Sequence, residues 1–191
     1  MQNDVILSID IGIHNLGYAI YDKNTINEHK TESLLFDLYD LDENIEKKDK
    51  KNNIVLTRAK YINKFIKDIF NEYNINVVII ERQVNTNTRA MELMYLLTAT
   101  IYNYCSNIII FDPKLKFTKT GLIYNTKNKA HKKLSIKVIE TYLINNYPSL
   151  LQRFQQYDKK DDISDAVFML LIYRFENNKN KLSILRSYGE L

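Results

Sequence analysis

Four acidic residues stand where burial should exclude them. Asp10 interrupts the apolar run that starts Val5-Ile6-Leu7-Ser8-Ile9, and Glu81 closes the run Val77-Val78-Ile79-Ile80. Asp162 and Asp165 lie three apart at the head of a long apolar stretch that reaches Leu171. A carboxylate in apolar surroundings is costly unless it is protonated, paired or bound to a cation. Four on buried-looking elements predict a site for divalent metal, and hard oxygen donors suit Mg²⁺ or Mn²⁺. Two such ions about 3.5–4 Å apart clamp a phosphate, activate a water and stabilise the leaving oxygen. The chemistry predicted is metal-assisted hydrolysis. Each acid taken alone has a plainer reading: an Asp ending a strand is often a turn former, and Asp161 reads as a helix N-cap.

The elements that must position these acids follow from periodicity. Residues 4–11 and 15–22 read as strands joined by Gly12-Ile13-His14, and 33–41 as a third. Residues 54–73 repeat Arg58, Tyr61, Ile62, Phe65, Ile66, Ile69 and Phe70 at helical spacing. Residues 75–81 are a β-branched strand and 87–105 an unusually apolar helix. Residues 107–111 are a fifth strand, stopped by Asp112-Pro113. Helices at 129–145 and 161–177 complete the core. Residues 42–53 read as a charged loop, the segment after Pro113 as a basic loop, and 178–191 as a peripheral polar tail. The fold class predicted is α/β, a five-stranded mixed sheet flanked by helices, in one domain spanning 1–191. If the meander leaves the first strand central, Asp10 and Glu81 become neighbours. Asp162 and Asp165 share one helix face with Ala166, Met169 and Tyr173.

Charge is concentrated. The 191 residues carry a net +4, yet Pro113 to Lys133 holds seven lysines (114, 116, 119, 127, 129, 132, 133) and no acid, so the remainder carries −3. Such a segment is either a polyanion-binding face or a solvated lysine-rich loop. Lys114, Lys116, Lys119, Lys127, Lys129 and Lys133 are the candidate nucleic-acid contacts. Tyr124 and Phe117 among them either stack on unpaired bases or anchor the loop. Lys132 shares a stripe with Ile136, Ile139 and Leu143, so it points toward the sheet and a phosphate there. Lys133 aligns with Lys137 and Glu140 on a solvent-type face. His14 reads first as a turn residue. The single cysteine, Cys105, excludes a disulfide framework and a zinc cluster and reads as a core thiol. The sequence shows no signal or transit peptide, no membrane-length apolar run, no Walker loop and no Ser-His-Asp pattern.

Three motifs in order carry a resemblance. Ser8-Ile9-Asp10-Ile11-Gly12-Ile13-His14-Asn15-Leu16-Gly17, Ile79-Ile80-Glu81-Arg82-Gln83 and Lys159-Lys160-Asp161-Asp162-Ile163-Ser164-Asp165-Ala166 resemble Holliday junction resolvases of poxviruses and other large DNA viruses, with their mitochondrial fungal relatives. These are RuvC-like members of the ribonuclease H-like superfamily. The resemblance spans residues 4 to about 177. It implies a homodimeric endonuclease that uses two Mg²⁺ ions (Mn²⁺ substituting) to nick opposed strands of a four-way DNA junction, leaving ligatable ends. It assigns the metal to Asp10, Glu81, Asp162 and Asp165, adds Lys132 to the catalytic set, and makes 87–105 the dimer helix. It places the protein inside cells, at a viral replication site in the host cytoplasm. There are departures. His14 stands where many relatives carry lysine, and Val84–Thr88 separates Gln83 from Arg89. The extra N-terminal DNA-binding segment of the mitochondrial type is not seen. An RNA–DNA hybrid hydrolase on the same fold and a catalytically silent DNA-binding module are the alternatives. An actin-like kinase fold would need a second domain.

Overall fold

Alternation of side chains across three consecutive strands sets up the sheet. In the computed structural model, which describes residues 5–22, 33–42, 54–84, 86–123 and 130–190, β1 (Val5–Ile11) pairs antiparallel with β2 (Asn15–Asp22), and β2 with β3 (Ser33–Asp40). The Gly12 amide closes the β1–β2 turn by donating to the Asn15 carbonyl at 2.9 Å. β4 (Val77–Glu81) and β5 (Ile108–Phe111) add in parallel on the other side of β1, giving the order β3-β2-β1-β4-β5. The first strand is therefore central, as expected. Its seven residues are all buried, which fits a strand covered on both faces.

The sheet separates two cores. On one face, Val5, Leu7, Ile9 and Ile11 of β1 and Val78 and Ile80 of β4 pack with α1 (Ile54–Glu72) and α2 (Thr88–Tyr102). The apolar surplus of α2 is spent here: Leu93, Met94, Leu97 and Ile101 all lie in the chain's own core. On the opposite face lie Ile6, Ser8 and Asp10 of β1 and Val77, Ile79 and Glu81 of β4, because successive side chains on a strand alternate. That face is covered by α6 (Lys160–Phe175), with α4 (Ala130–Asn146) packed against it. From Ile163 to Ile172 every residue of α6 is buried, so this helix is apolar all round rather than amphipathic.

Three further helices lie where the sequence pattern gave no helix. The segment after Pro113 is not simply a loop: it opens with α3 (Leu115–Thr120), ended by Gly121 at φ 77°. α5 (Pro148–Gln155) starts with proline in its first turn, where a missing amide costs nothing. The polar C-terminal stretch is α7 (Lys179–Glu190), which seats Leu182 and Leu185 in the core. Tyr124, Lys127, Lys129 and residues 43–53 of the charged loop lie outside the described residues. No described helix is long and apolar enough to cross a membrane.

Candidate active site

The parallel pairing of β1 with β4 brings the first two acids together. Ile9 is the register partner of Ile80, so the next residues, Asp10 and Glu81, emerge side by side on the α6 face. They share a side-chain hydrogen bond. Across β1 on the other side, Asp10 is paired with Gly17. A methyl group at Gly17 would stand 2.4 Å from the Asp162 carbonyl oxygen, so only glycine lets the start of α6 rest on β2. Ser8, Ala19, Ser164 and Ala166 are also fully buried small residues on this side of the molecule. Among the described residues the hydroxyls of Ser8 and Ser164 have no hydrogen-bond partner. Close approach of α6 carries Asp162 and Asp165 to the strand acids. The α6 N-terminus, with Asp161 and Asp162 in its first turn, favours negative charge there.

At the centre is a lysine that the charge pattern assigned to the DNA-facing surface. Lys116, on α3, is 2% exposed. Its Nζ lies 2.8 Å from Glu81 Oε1 and 2.8 Å from Asp165 Oδ1. Lys116 is thus corrected from a candidate DNA contact to an internal ion pair, because Phe117 and Thr120, buried with it, turn α3 inward. Electrostatics agree with the geometry. Burial pushes the Asp10 carboxyl well above its ordinary pKa, helped by the charges of Glu81 and Asp165. Burial acts on Glu81 in the same sense, but Lys116 outweighs it and holds Glu81 below the usual value. Burial alone would lower Lys116; Asp165, Glu81 and Asp10 reverse that and raise it. Burial thus favours the neutral form at Asp10 rather than at Glu81, and the three acids favour the ammonium form of Lys116.

Asp162 stands beside this trio. Its Oδ2 accepts from Asn15 Nδ2 at 3.0 Å. Burial and then the neighbouring Asp161 push its pKa up to about 6. Lys132 Nζ donates to Asp161 Oδ2, and its charge acts on Asp162 and Asp165 and across to Glu81. Asp161 is corrected as well. It is no N-cap, since Lys159 occupies that position, and its carboxylate is the partner of Lys132. Among the basic residues, Lys119 pairs with Glu176 at 2.7 Å, and Lys114 and Lys133 are exposed. Phe117 is 1% exposed and meets Phe168 edge-on, so it anchors α3 rather than offering a stacking surface. Asn15, Gly17 and Lys116 are the site residues that sequence reasoning missed. Asn15 and Gly17 sit inside the first motif quoted above and carried a weak signal there.

At the open end of the site, the β1–β2 turn is tied down by a second charged group. Arg58 of α1, 4% exposed, donates Nε and Nη2 to Asp42 Oδ1 at 3.1 Å each. Asp42 Oδ2 also contacts His14 Nδ1 at 2.6 Å, and the His14 side chain is 71% exposed. His14 thus projects into solvent on a turn fixed from below.

The description "Poxvirus A22 protein" fits residues 4–177 of the sequence. The chain belongs to this family. Among relatives, it is 28% identical over 169 residues to the Holliday junction resolvase of fowlpox virus, spanning 88% of this chain and 91% of that protein. In structure it is similar to the fowlpox virus resolvase solved with a substrate Holliday junction DNA: TM-score 0.62 at 24% identity, over 92% of this chain and 99% of that one. The yeast mitochondrial Holliday junction resolvase matches with TM-score 0.64 at 16% identity, over 98% and 86%. The fold is thus that of the RuvC-like resolvases, ribonuclease H-like.

Proposed function

We propose that this chain is a structure-selective DNA endonuclease that resolves four-way junctions by paired, symmetric phosphodiester cleavage. The observation that carries the reading is the meeting of Asp10, Glu81 and Asp165 about Lys116, with Asp162 beside them on α6, in a chain whose fowlpox relative is a Holliday junction resolvase. Four carboxylates cannot all ionise in one buried place without added positive charge. Lys116 offsets one of them, which leaves a surplus of negative charge.

The donor set is all carboxylate oxygen, which fits Mg²⁺ and, by substitution, Mn²⁺. Among the described residues no three His, Cys, Asp or Glu side chains form a ready-made metal cage. Lys116 is interposed between Glu81 and Asp165, and Asn15 holds Asp162. Asp10, Glu81, Asp162 and Asp165 are the residues that would hold two such ions once the contacts of Lys116 exchange. When bound, the ions supply charge that activates the attacking water and stabilises the leaving oxygen. The protein's own contribution is positioning. Asn15 fixes one Asp162 oxygen, Gly17 sets the depth of α6, and Lys132 lies beside the acid pair where it can meet the scissile phosphate. Lys114, Lys119 and Lys133 are the described lysines that we assign to the DNA backbone, and the same assignment is made from the sequence alone for Lys127, Lys129 and Tyr124.

The reading includes a homodimer. The face that α2 leaves outside its own core carries Tyr95 and Tyr102, 60% and 68% exposed, and these are the anchors we assign to the partner. The place of action on this reading is a viral replication site in the host cytoplasm, a view supported by the fowlpox relative. The test is direct. Purified protein with Mg²⁺ should convert a synthetic four-way junction into two nicked duplexes and prefer it to an RNA–DNA hybrid. Asp162→Asn should bind the junction and leave it uncut. An intact junction across Mg²⁺ and Mn²⁺ titrations of folded protein, or faster cutting of the hybrid, would overturn the proposal.

A further inference from the structure

Lys116 is held more tightly than any role in touching DNA requires. Its side chain is 3% exposed and its ammonium bridges acids from two elements, Glu81 on β4 and Asp165 on α6. The short helix that carries it is clamped on the same side: Phe117 and Thr120 are buried, and the Thr120 hydroxyl donates back to the Lys116 carbonyl at 2.8 Å. An ammonium and a divalent ion make the same demand on this place. Each needs convergent carboxylate oxygens with water excluded. Glu81 Oε1 and Asp165 Oδ1 are already committed to Lys116, so a divalent ion that uses those oxygens must take them from it.

We propose that Lys116 is a tethered internal cation that holds Glu81 and Asp165 together before metal arrives, and that metal loading displaces its ammonium from at least one of them. This rests on the metal-site reading above. The exchange has two consequences. Without metal, Lys116 keeps like charges from driving β4 and α6 apart. With metal, the released ammonium moves toward solvent along α3, where the exposed Lys114 and Lys119 already stand.

The experiment uses the full chain stripped with EDTA, titrated with Mn²⁺ alone and followed by the loss of free-ion electron paramagnetic resonance signal. Wild type, Lys116→Gln and Asp165→Asn are compared. Removing the competing ammonium should tighten Mn²⁺ binding in Lys116→Gln by about tenfold or more, the scale seen when groups around metal ligands are changed. Metal-free Lys116→Gln should melt below wild type, and saturating Mn²⁺ should narrow the gap. In wild type, acetic anhydride labelling read by peptide mass spectrometry should rise at Lys116 on Mn²⁺ saturation, with Lys114 as the exposed reference. Unchanged Mn²⁺ affinity in folded Lys116→Gln overturns the inference, as does a Lys116 that stays protected at saturation. If Lys116→Gln fails to fold, the wild-type labelling decides alone. If wild type binds Mn²⁺ no better than Asp165→Asn, the metal-site reading fails and takes this inference with it. Carboxylate-dependent binding with no effect at Lys116 sinks the inference only.

Discussion

Two buried charge clusters lie at the same end of this molecule, and they balance differently. At the β1–β2 turn, one guanidinium, Arg58, faces one carboxylate, Asp42, with the exposed His14 as a third member. Under α6, one ammonium, Lys116, faces Asp10, Glu81 and Asp165, with Asp162 alongside. The first cluster is neutral within itself and needs nothing from outside. The second has more acid than base, sits where burial favours the neutral form of Asp10, and is suited to an external cation. Both use low-dielectric surroundings, where charge pairing is strong and an unpaired charge is expensive. The difference separates a cluster that stabilises the fold from one whose surplus is available for chemistry.

Mutation should separate them along the same line. The largest effect expected is on cutting: Asp10→Asn or Asp165→Asn should lower the junction cleavage rate by at least about 10²-fold, the scale of losing a group that stabilises transition-state charge. Urea denaturation of metal-free Asp10→Asn should show little loss of stability, since an amide replaces a carboxyl whose neutral form burial already favours. Asp42→Ala should do the reverse. It strands the Arg58 guanidinium and should cost about 3 kcal/mol in urea unfolding, in line with breaking a buried ion pair, while metal binding by the remaining acids persists. If Asp42→Ala destabilises no more than Asp10→Asn, the contrast between the clusters is wrong.

Smaller changes sharpen the comparison. Gly17→Ala forces α6 off β2 and should cost about 2 kcal/mol of overpacking strain, with a loss of cleavage larger than the loss of stability suggests. Asn15→Ala leaves the fold intact and frees one Asp162 oxygen; a fall of about tenfold in Mn²⁺ affinity is expected, measurable by titration. The smallest effect is in pH. Asp162 is raised to about 6 from 3.8, so the folded, metal-free chain binds its proton more tightly than the unfolded chain does. That stabilisation is fully present below the unfolded value and is lost as pH rises through about 6. Melting in EDTA between pH 4 and 6.5 should therefore fall more steeply in wild type than in Asp162→Asn.

Much of this was legible in the sequence, for identifiable reasons. Strands buried on both faces announce themselves as β-branched runs, and an acid inside such a run has few structural excuses. The position of Asp10 and Glu81 followed from strand order alone. Lys116 was hidden because it is one of seven lysines in a stretch without acid, which reads as solvated surface. Its helix, six residues long, is too short to show periodicity. The usable signal was punctuation: Pro113 just before and Gly121 just after a run containing Leu115 and Phe117. α7 was missed because only Leu182 and Leu185 are buried in its twelve residues. The apolar surplus of α2 was attributed to a partner, whereas Leu93, Met94, Leu97 and Ile101 are absorbed by the chain's own second core.

The hydrogen bond from Asn15 to Asp162 joins residues 147 apart. Such a contact forms late, because closing a long loop costs entropy before any packing repays it. The strand acids are synthesised before the helix acids. A chain still emerging from the ribosome therefore holds only half of its acid centre. The acid centre is incomplete in every nascent copy until α6 docks against β1 and β2.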